Sequence, residues 1–250
     1  MTNIVMRKFP LLAACALAAV LCILLAQYGT GPAKAAEAAD QKPAAQNANA
    51  PASGDLAPLD IKLPRPAYVG TPKNLPAHVK KPTGKPRPPF LAPKGCVNLA
   101  LKRPVTSSDK EPVIGSLSQI TDGDKEGTEG NWVELAPGLQ WVQIDLGKKC
   151  AIYAIVVWHH HADPRVYHDV VIQVSDDQDF INDVKTVFNN DSDNSSGLGI
   201  GKDMEYAEYY EGELIDAKGV EGRYVRLYSR GNTSDDQNHY TEVEVWGIPK

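Results

Sequence analysis

The chain has 250 residues and a formal net charge of −5 at pH 7. The charge is uneven, because residues 97–250 carry 27 Asp and Glu against 14 Lys and Arg. An acidic globular part lacks the basic face that phosphate backbones require, so the composition excludes nucleic acid as the expected partner.

The first segment of the chain has the organisation of an export signal. The basic pair Arg7-Lys8 precedes an apolar run over residues 11–26, and Ala33-Lys34-Ala35 supplies the small residues that a signal peptidase needs. We therefore predict a signal peptide over residues 1–35 and an exported protein, secreted or held in the periplasm or cell envelope. The alternative is an uncleaved membrane anchor over residues 11–28, which is the one predicted route to a membrane.

The second segment, residues 36–95, is rich in proline and alanine and holds 12 of the 19 prolines. It carries nine Lys and Arg against four Asp and Glu, so it is basic where the rest is acidic. Proline removes the backbone N–H that a sheet needs and favours extended polyproline backbone. We predict a semi-rigid linker that is mostly disordered.

The third segment, residues 96–250, shows short β-patterned runs separated by turn residues. Its centre is the stretch Leu139–His161. Residues 142–146 alternate between apolar and polar side chains, which predicts a strand with one buried face. Residues 151–158 are apolar almost throughout, which predicts a second strand, buried on both faces and joined to the first at residues 147–149.

About eight such runs fill this segment, the number expected of an all-β fold with an eight-stranded antiparallel jelly-roll sandwich. The predicted strands are Val97–Leu101, Gln140–Leu146, Ile152–His159, Asp169–Ser175, Lys185–Phe188, Tyr206–Tyr210, Tyr224–Tyr228 and Thr241–Trp246.

Six motifs follow one another in the order and spacing of a known domain. They are Asn98-Leu99-Ala100, Ile120-Thr121-Asp122-Gly123-Asp124, Trp132, Gln140–Gly147, Tyr224-Val225-Arg226-Leu227 and Glu242–Gly247. In this order they resemble the discoidin domain, the C-type domain of coagulation factors V and VIII, also classed as carbohydrate-binding module family 32. The resemblance covers residues 97–248 and implies a galactose-binding-like β-sandwich with ligand-binding loops at one end.

The loop after Ile120 gathers oxygen donors on a sharply curved backbone, which suits a hard cation such as Ca²⁺. The resemblance implies a structural calcium ion. Its ligands would be the carbonyls of Ile120 and Asp124 and the side chains of Asp122, Thr128 and Glu242. This loop is longer than the family pattern. The alternative interpretation is an Asx turn without a cation.

Polar residues also cluster after the second central strand and before the last one. Imidazole, guanidinium, amide and carboxylate groups can together bind the hydroxyls of a sugar. The predicted ligand-binding residues are His159, His161, Asp163, Arg165, Asp235, Asn238 and His239, with Tyr206, Tyr209 or Tyr210 as a possible stacking ring. The alternatives are a purely structural loop and a zinc site made by His159, His161 and His168.

Two cysteines, Cys96 and Cys150, remain after the predicted signal is removed. An even pair in an exported chain permits one disulfide, which would tie the entry of the domain to the central strand. Two separate buried thiols are equally consistent with the sequence.

The sequence contains no nucleophile elbow and no paired carboxylates in a glycosidase-like setting. It therefore predicts an exported, non-catalytic module that binds carbohydrate or a similar polar surface ligand, with calcium in a structural role. One alternative is a protein-interaction or scaffolding domain of the cell surface. A metalloenzyme built on the histidine cluster is the less favoured alternative.

Overall fold

The computed structural model of the protein describes residues 55–68, 75 and 78–250. The predicted signal peptide and residues 36–54 of the predicted linker lie outside these residues. Among the described residues, no helix combines the length and the apolar character needed to cross a membrane.

The described part of the chain is built of antiparallel β-structure with one short 3₁₀ helix over Leu117–Thr121, so the predicted all-β antiparallel fold is confirmed. The strands, in chain order, are β1 (Leu56–Pro58), β2 (Val79–Lys80), β3 (Leu91–Pro93), β4 (Val97–Asn98), β5 (Val105–Ser107), β6 (Val133–Leu135), β7 (Gln140–Trp158), β8 (Val171–Ser175), β9 (Lys185–Asn189), β10 (Glu205–Tyr206), β11 (Glu213–Ser229), β12 (Asn238–Tyr240) and β13 (Glu242–Pro249).

The main sheet has the strand order β4-β13-β7-β11-β8-β9, and β5 pairs with the first half of β7. Two long strands, β7 and β11, run beside each other through both halves of the sandwich. The first part of β7 pairs with β5, and the last part of β11 pairs with β8. The second part of β7 pairs with β13. Register shifts in β11 allow the sheet to bend between the halves.

The central stretch differs from the prediction in one respect. We predicted two strands joined at residues 147–149, whereas β7 is a single strand of 19 residues. Gly147, Lys148 and Lys149 are exposed within it, and Gly147 has a φ of +83°. They have no partner on β11, because the register jumps there from Asp145, opposite Tyr224, to Cys150, opposite Gly222. Residues 147–149 therefore form an irregularity within the strand, at the change from one buried face to two.

The extra strands beyond the predicted eight are short. They are β1, β2, β3, β5, β6 and β12, with two or three residues each. Segments of this length carry too little alternation to be recognised in the sequence. The predicted strand over Tyr206–Tyr210 is reduced to Glu205–Tyr206 for this reason, and the following tyrosines form a loop.

Part of the predicted linker is folded against the sandwich. We call residues 55–68 and 78–95 the strap. Within it β1 pairs with β3, while β2 pairs in parallel with β10. Val79 is fully buried, and the Arg87 guanidinium donates to the carbonyl oxygens of Glu211 and Gly212 at 2.9 and 2.8 Å. The prediction of disorder is therefore wrong for these residues. Short ladders and side-chain hydrogen bonds hold them in place, although proline itself has no backbone N–H to donate.

The predicted disulfide between Cys96 and Cys150 is not formed, and both cysteines are free. Strand order explains the difference. Cys96 precedes β4 and Cys150 lies on β7, with β13 between those two strands. Two strand spacings amount to roughly 9–10 Å, beyond the Cα separation that a disulfide spans. Burial raises the pKa of both thiols.

Candidate functional site

The loops predicted to share one end of the sandwich do meet there. The backbone of His168 bonds with that of Arg230 and Gly231 at 2.9 and 3.1 Å, which joins the loop after β7 to the loop after β11. A β-bridge between Tyr167 and Asn232 continues this contact. We call this end of the sandwich the apex.

The predicted histidines lie under the apex surface rather than on it. His159 is fully buried, and its Nδ1 lies 2.7 Å from Glu208 Oε1. Its ring stacks on Tyr167 with the centroids 4.3 Å apart. His161 is also fully buried, and its Nε2 bonds to the Lys125 carbonyl at 2.9 Å. Both rings therefore support the loops from below.

His239 and Asn238 belong to the same buried layer. His239 Nδ1 accepts from the Tyr167 hydroxyl at 2.9 Å, and its Nε2 lies 3.2 Å from Glu134 Oε2 across the β6–β12 pair. Asn238 donates to the carbonyls of Ala136 and Gly138, each at 2.9 Å. These amide and imidazole groups are already satisfied by the protein.

Arg165 is the predicted ligand residue that reaches the apex surface. Its Nε donates to Asp163 at 2.7 Å, and its Nη1 donates to Asp235 at 2.8 Å. The two carboxylates hold the guanidinium in a fixed orientation while leaving it 15% exposed. Charge-assisted bonds of this kind are among the strongest that side chains make.

His160, which is 8% exposed, and the partly buried Trp132 lie beside this surface, and the predicted site residues did not include them. The His160 ring lies edge-on to Trp132 at 4.5 Å and 5.9 Å from the His239 ring. Burial, together with the nearby Arg165, lowers the pKa of His160, so the ring is neutral at pH 7. Alternation along the chain had placed His160 opposite His159 and His161. We call Trp132, His160, Asp163, Arg165 and Asp235 the apex patch.

The predicted site is therefore corrected in part. The seven residues do gather at one end, but His159, His161, Asn238 and His239 are buried and bonded, so they cannot meet a ligand without rearrangement. Asp163, Arg165 and Asp235 keep partial exposure. The three histidines proposed for zinc do not converge either, since His168 Nδ1 bonds to Glu205 at 2.9 Å.

The predicted calcium loop lies beside the last strand. The Gly123 N–H donates to Glu242 Oε2 at 3.2 Å. Glu242 is fully buried, and its other oxygen, Oε1, has no hydrogen-bond partner. Burial raises the pKa of the Glu242 carboxyl to about 9, and the nearby Glu244 and Asp122 add to the rise. A cation bound here would give the buried Glu242 carboxylate the partner that Oε1 lacks.

The remaining predicted calcium ligands differ in how well they fit. Asp122 and Asp124 are exposed, and each accepts the backbone N–H two residues further on, at 2.8 and 3.0 Å. Their other oxygens stay available. The Ile120 side chain lies in the core, so only its carbonyl can serve. No described hydrogen bond joins the Thr128 side chain to this group. The fit of this loop to a calcium ion therefore depends on Asp122 and Glu242.

Lys125 occupies the space next to this loop. Its ammonium pairs with Glu244 and lies 4.7 Å from the centroid of the Trp158 ring. Glu244 therefore has a cationic partner, whereas Glu242 two residues earlier has none among the described residues. This difference between neighbouring glutamates on β13 favours a cation at Glu242 alone.

Two cavities lie away from the apex patch. One of about 390 Å³ is lined by polar residues that include His168, Asn190 and Arg230. The other, of about 570 Å³, lies between the strap and the loop Tyr206–Glu213. Of the histidine cluster, only His168 lines either of them. The apex patch is thus an open surface rather than a deep pocket.

One acidic cluster among the described residues gathers three carboxylates within 4.8 Å, namely Asp169, Asp191 and Asp193. Asp191 accepts the backbone N–H groups of Ser195 and Ser196 at 3.1 and 2.9 Å. These bonds fold the loop after β9 without help from an ion. The cluster is therefore explained as a loop-forming contact.

The comparison with protein families gives one match. Residues 119–227 match a model of the coagulation factor V/VIII type C group, described as a NedA-like, galactose-binding domain. The match includes the calcium loop and most of the apex patch. No curated protein matches the chain at a significant level.

Solved structures of similar shape share little sequence with the chain. A fucose-binding module of Streptococcus pneumoniae is 19% identical, with 60% of this chain and 96% of that chain covered and a TM-score of 0.42. A chitosan-binding module from a chitosanase/glucanase of Paenibacillus sp. IK-5 is 23% identical, with 60% and 98% covered and a TM-score of 0.44.

A family 89 glycoside hydrolase of Clostridium perfringens is 19% identical, with 62% of this chain covered and a TM-score of 0.46. The match spans only 15% of the length of that hydrolase.

Proposed function

Because residues 119–227 match a galactose-binding domain of the coagulation factor V/VIII type C group, we propose that the folded part of the chain binds carbohydrate at the apex patch without catalysing a reaction. The family match supports the ligand class. The geometry of the apex patch supports this surface as the place where the carbohydrate binds.

The observation that carries the proposal is the fixed guanidinium of Arg165 beside a neutral imidazole and an indole. Arg165 offers hydrogen bonds to sugar hydroxyls, and the partly exposed carboxylates of Asp163 and Asp235 can accept from them. The Trp132 ring offers an apolar face to the C–H groups of a pyranose. Acceptors, donors and an aromatic ring within one open surface are what sugar recognition requires.

The same geometry is unsuited to glycoside hydrolysis. Asp163 and Asp235 both accept hydrogen bonds from the Arg165 guanidinium, so both carboxylates serve to hold this side chain. A glycosidase instead uses two carboxyl groups that flank the bond to be cleaved. We therefore assign the apex patch to binding.

Replacing Arg165 with alanine should reduce the affinity for galactose-containing glycans at least about tenfold, because a charge-assisted donor at the centre of the patch is lost. Binding would be measured on a glycan array and then by calorimetry with the strongest glycan. The fold should be retained, because the two carboxylates left without a partner, Asp163 and Asp235, are 47% and 35% exposed to water.

Arg223→Ala is the matched control. Arg223 also pairs with an aspartate, Asp145, at 2.7 Å, but on the side of the sandwich. Equal losses in the two variants, or no binding by the unaltered protein to any glycan on the array, would overturn the proposal. Capture of one stoichiometric protein in the absence of sugar would instead support the cell-surface interaction alternative.

Calcium is proposed as a structural ion beside Glu242. Added Ca²⁺ should stabilise the protein by about 2.7 kcal/mol at a hundredfold excess over its dissociation constant. Glu242→Gln should abolish this gain. Without calcium at pH 8, the same variant should be more stable than the unaltered protein, because folding of the unaltered protein requires Glu242, whose pKa rises from 4.5 to about 9, to take up a proton that the unfolded chain does not hold. Thermal unfolding with calcium and with a chelator measures both effects.

Glu129→Gln is the control for the calcium experiment, because Glu129 is exposed in the same loop. This variant should be stabilised by Ca²⁺ as much as the unaltered protein. A gain that survives in Glu242→Gln, or no gain in the unaltered protein, would rule out this site. We also propose export, as the charge pattern of residues 1–35 supports.

A further inference from the structure

A short arm of the strap, residues 65–68, connects two loops of the sandwich. Arg65 Nε donates to Glu126 Oε2 at 3.3 Å, which joins the arm to the predicted calcium loop. The Tyr68 hydroxyl donates to the Glu208 carbonyl at 2.7 Å, which joins the arm to the loop after β10. Because the arm is held at both ends, the position of the Tyr68 ring is fixed.

The loop after β10 lies directly beside the loop that carries the apex patch. The Glu208 N–H donates to the Arg165 carbonyl at 2.7 Å, and the adjoining residues of the two loops form a β-bridge. Tyr209 is therefore the next residue after one that is paired with Arg165. Burial raises the pKa of the Tyr68 hydroxyl, and the charge of the nearby Asp163 adds to the rise. Both tyrosines thus lie at the border of the apex patch.

Tyr209 provides an accessible aromatic ring at this border. Of the three tyrosines predicted as a possible stacking ring it is the most exposed, at 36%. Its ring centroid lies 5.6 Å from that of Tyr68 and 4.6 Å from that of Tyr210, so two neighbouring rings fix its orientation. Tyr68 and Tyr209 also line the larger cavity, so open space rather than packed protein borders them. We call these two rings the tyrosine platform.

The chemistry of the tyrosine platform complements that of the apex patch. The apex patch offers charged donors and acceptors, which suit the hydroxyls of one sugar unit. The platform offers a fixed ring, which suits the apolar C–H face of a pyranose. Because the backbone of Glu208 is bonded to that of Arg165, a sugar chain held at the guanidinium has Tyr209 beside its next unit.

We propose that the tyrosine platform is a second subsite of the same binding surface, so that the preferred ligand is a chain of at least two sugar units. One unit is held at Arg165 and the next stacks on Tyr209, while Tyr68 positions that ring from the strap. The inference rests on the proposed function, because the first unit occupies the apex patch. It assigns the choice of ligand length to the strap, which lies outside the family match.

The test compares a monosaccharide with the trisaccharide built from it, by calorimetry on the full chain. Three pairs are used: galactose with galactotriose, N-acetylglucosamine with triacetylchitotriose, and galacturonic acid with trigalacturonic acid. In at least one pair the trisaccharide should bind more tightly. Tyr209→Ala should weaken the binding of that trisaccharide roughly threefold to tenfold and leave the affinity for the monosaccharide unchanged. The unchanged affinity also shows that the variant is folded.

Tyr68 is tested as a positioning residue. Tyr68→Ala removes the ring that packs on Tyr209, so it should also weaken the trisaccharide alone. Tyr68→Phe keeps that ring and should retain most of the affinity for the trisaccharide. Tyr153→Ala is the matched control, because the Tyr153 ring is partly buried beside Gly219, in another part of the sandwich. It should change neither affinity.

The second subsite is overturned if no trisaccharide binds more tightly than its monosaccharide, or if Tyr209→Ala affects the two members of a pair alike. In both cases monosaccharide binding that is weakened in Arg165→Ala would leave the proposed function standing by itself. If none of the six sugars binds to the unaltered protein, the proposed function fails, and the second subsite fails with it.

Discussion

Replacing His159 with alanine should lower the free energy of unfolding by about 3–5 kcal/mol, the usual cost of removing one partner from a buried pair. His159 and Glu208 have no exposed side-chain surface, and their atoms Nδ1 and Oε1 are 2.7 Å apart. Without the imidazole, Glu208 would lose the one described partner of its carboxylate. The stacking on Tyr167 would be lost as well.

Urea unfolding followed by tryptophan fluorescence measures the effect. His78→Ala is the matched control, because His78 also contacts a glutamate, Glu205, at 2.5 Å, but its side chain is 69% exposed. An exposed pair is worth no more than about 1 kcal/mol. If the two variants lost similar stability, the buried pair could not be what holds the loops of the apex together.

Acid should destabilise the protein by about 3 kcal/mol between pH 7 and pH 4 through His239 alone. Burial lowers the pKa of this histidine from 6.5 to about 4. Between these two values the unfolded chain binds a proton that the folded protein excludes. The contribution of His239 to stability is therefore complete above pH 6.5 and is lost as the pH falls towards 4.

The contacts of His239 explain why the proton is excluded. The Tyr167 hydroxyl donates to Nδ1, so protonation would have to break that bond. The Asp235 carboxylate acts to raise the pKa of His239, but burial outweighs it. His239→Gln should remove most of the acid-dependent loss in a series of urea titrations at different pH.

His168 provides the opposite case. Its pKa is raised by the hydrogen bond with Glu205, so its contribution is present at low pH and is lost as the pH rises. His168→Gln should therefore keep the acid loss or enlarge it. A stability profile of His239→Gln that still falls as steeply as that of the unaltered protein would contradict the assignment.

The sequence predicted the fold well where alternation was strong. Val142, Ile144 and Leu146 are fully or almost fully buried, and the apolar run over residues 151–158 is buried nearly throughout. Side chains of a strand point to opposite faces of the sheet in turn, so alternation in the sequence shows which face is buried. The sequence also predicted that the loops after β7 and β11 lie at one end of the sandwich, and their backbone hydrogen bonds show that they meet.

The sequence was less informative about burial at the apex. It indicated that His159, His161 and His239 lie near Arg165, but it could not show which rings other loops would cover. That depends on contacts such as Tyr167 with His239, which join residues distant in the chain. The strap was missed for a related reason. Proline content predicts extended backbone, but Val79 and Arg87 find partners only once the sandwich exists.

The continuity of β7 into the apex has a consequence for recognition. His160 follows Trp158, the last residue of a 19-residue strand, after a single intervening position. Arg165 is clamped by two carboxylates. Groups held this firmly have little rotational freedom to lose when a sugar arrives, so the entropic penalty of association is small. Under the proposed function, a weak ligand such as a single monosaccharide would then need few contacts to be retained.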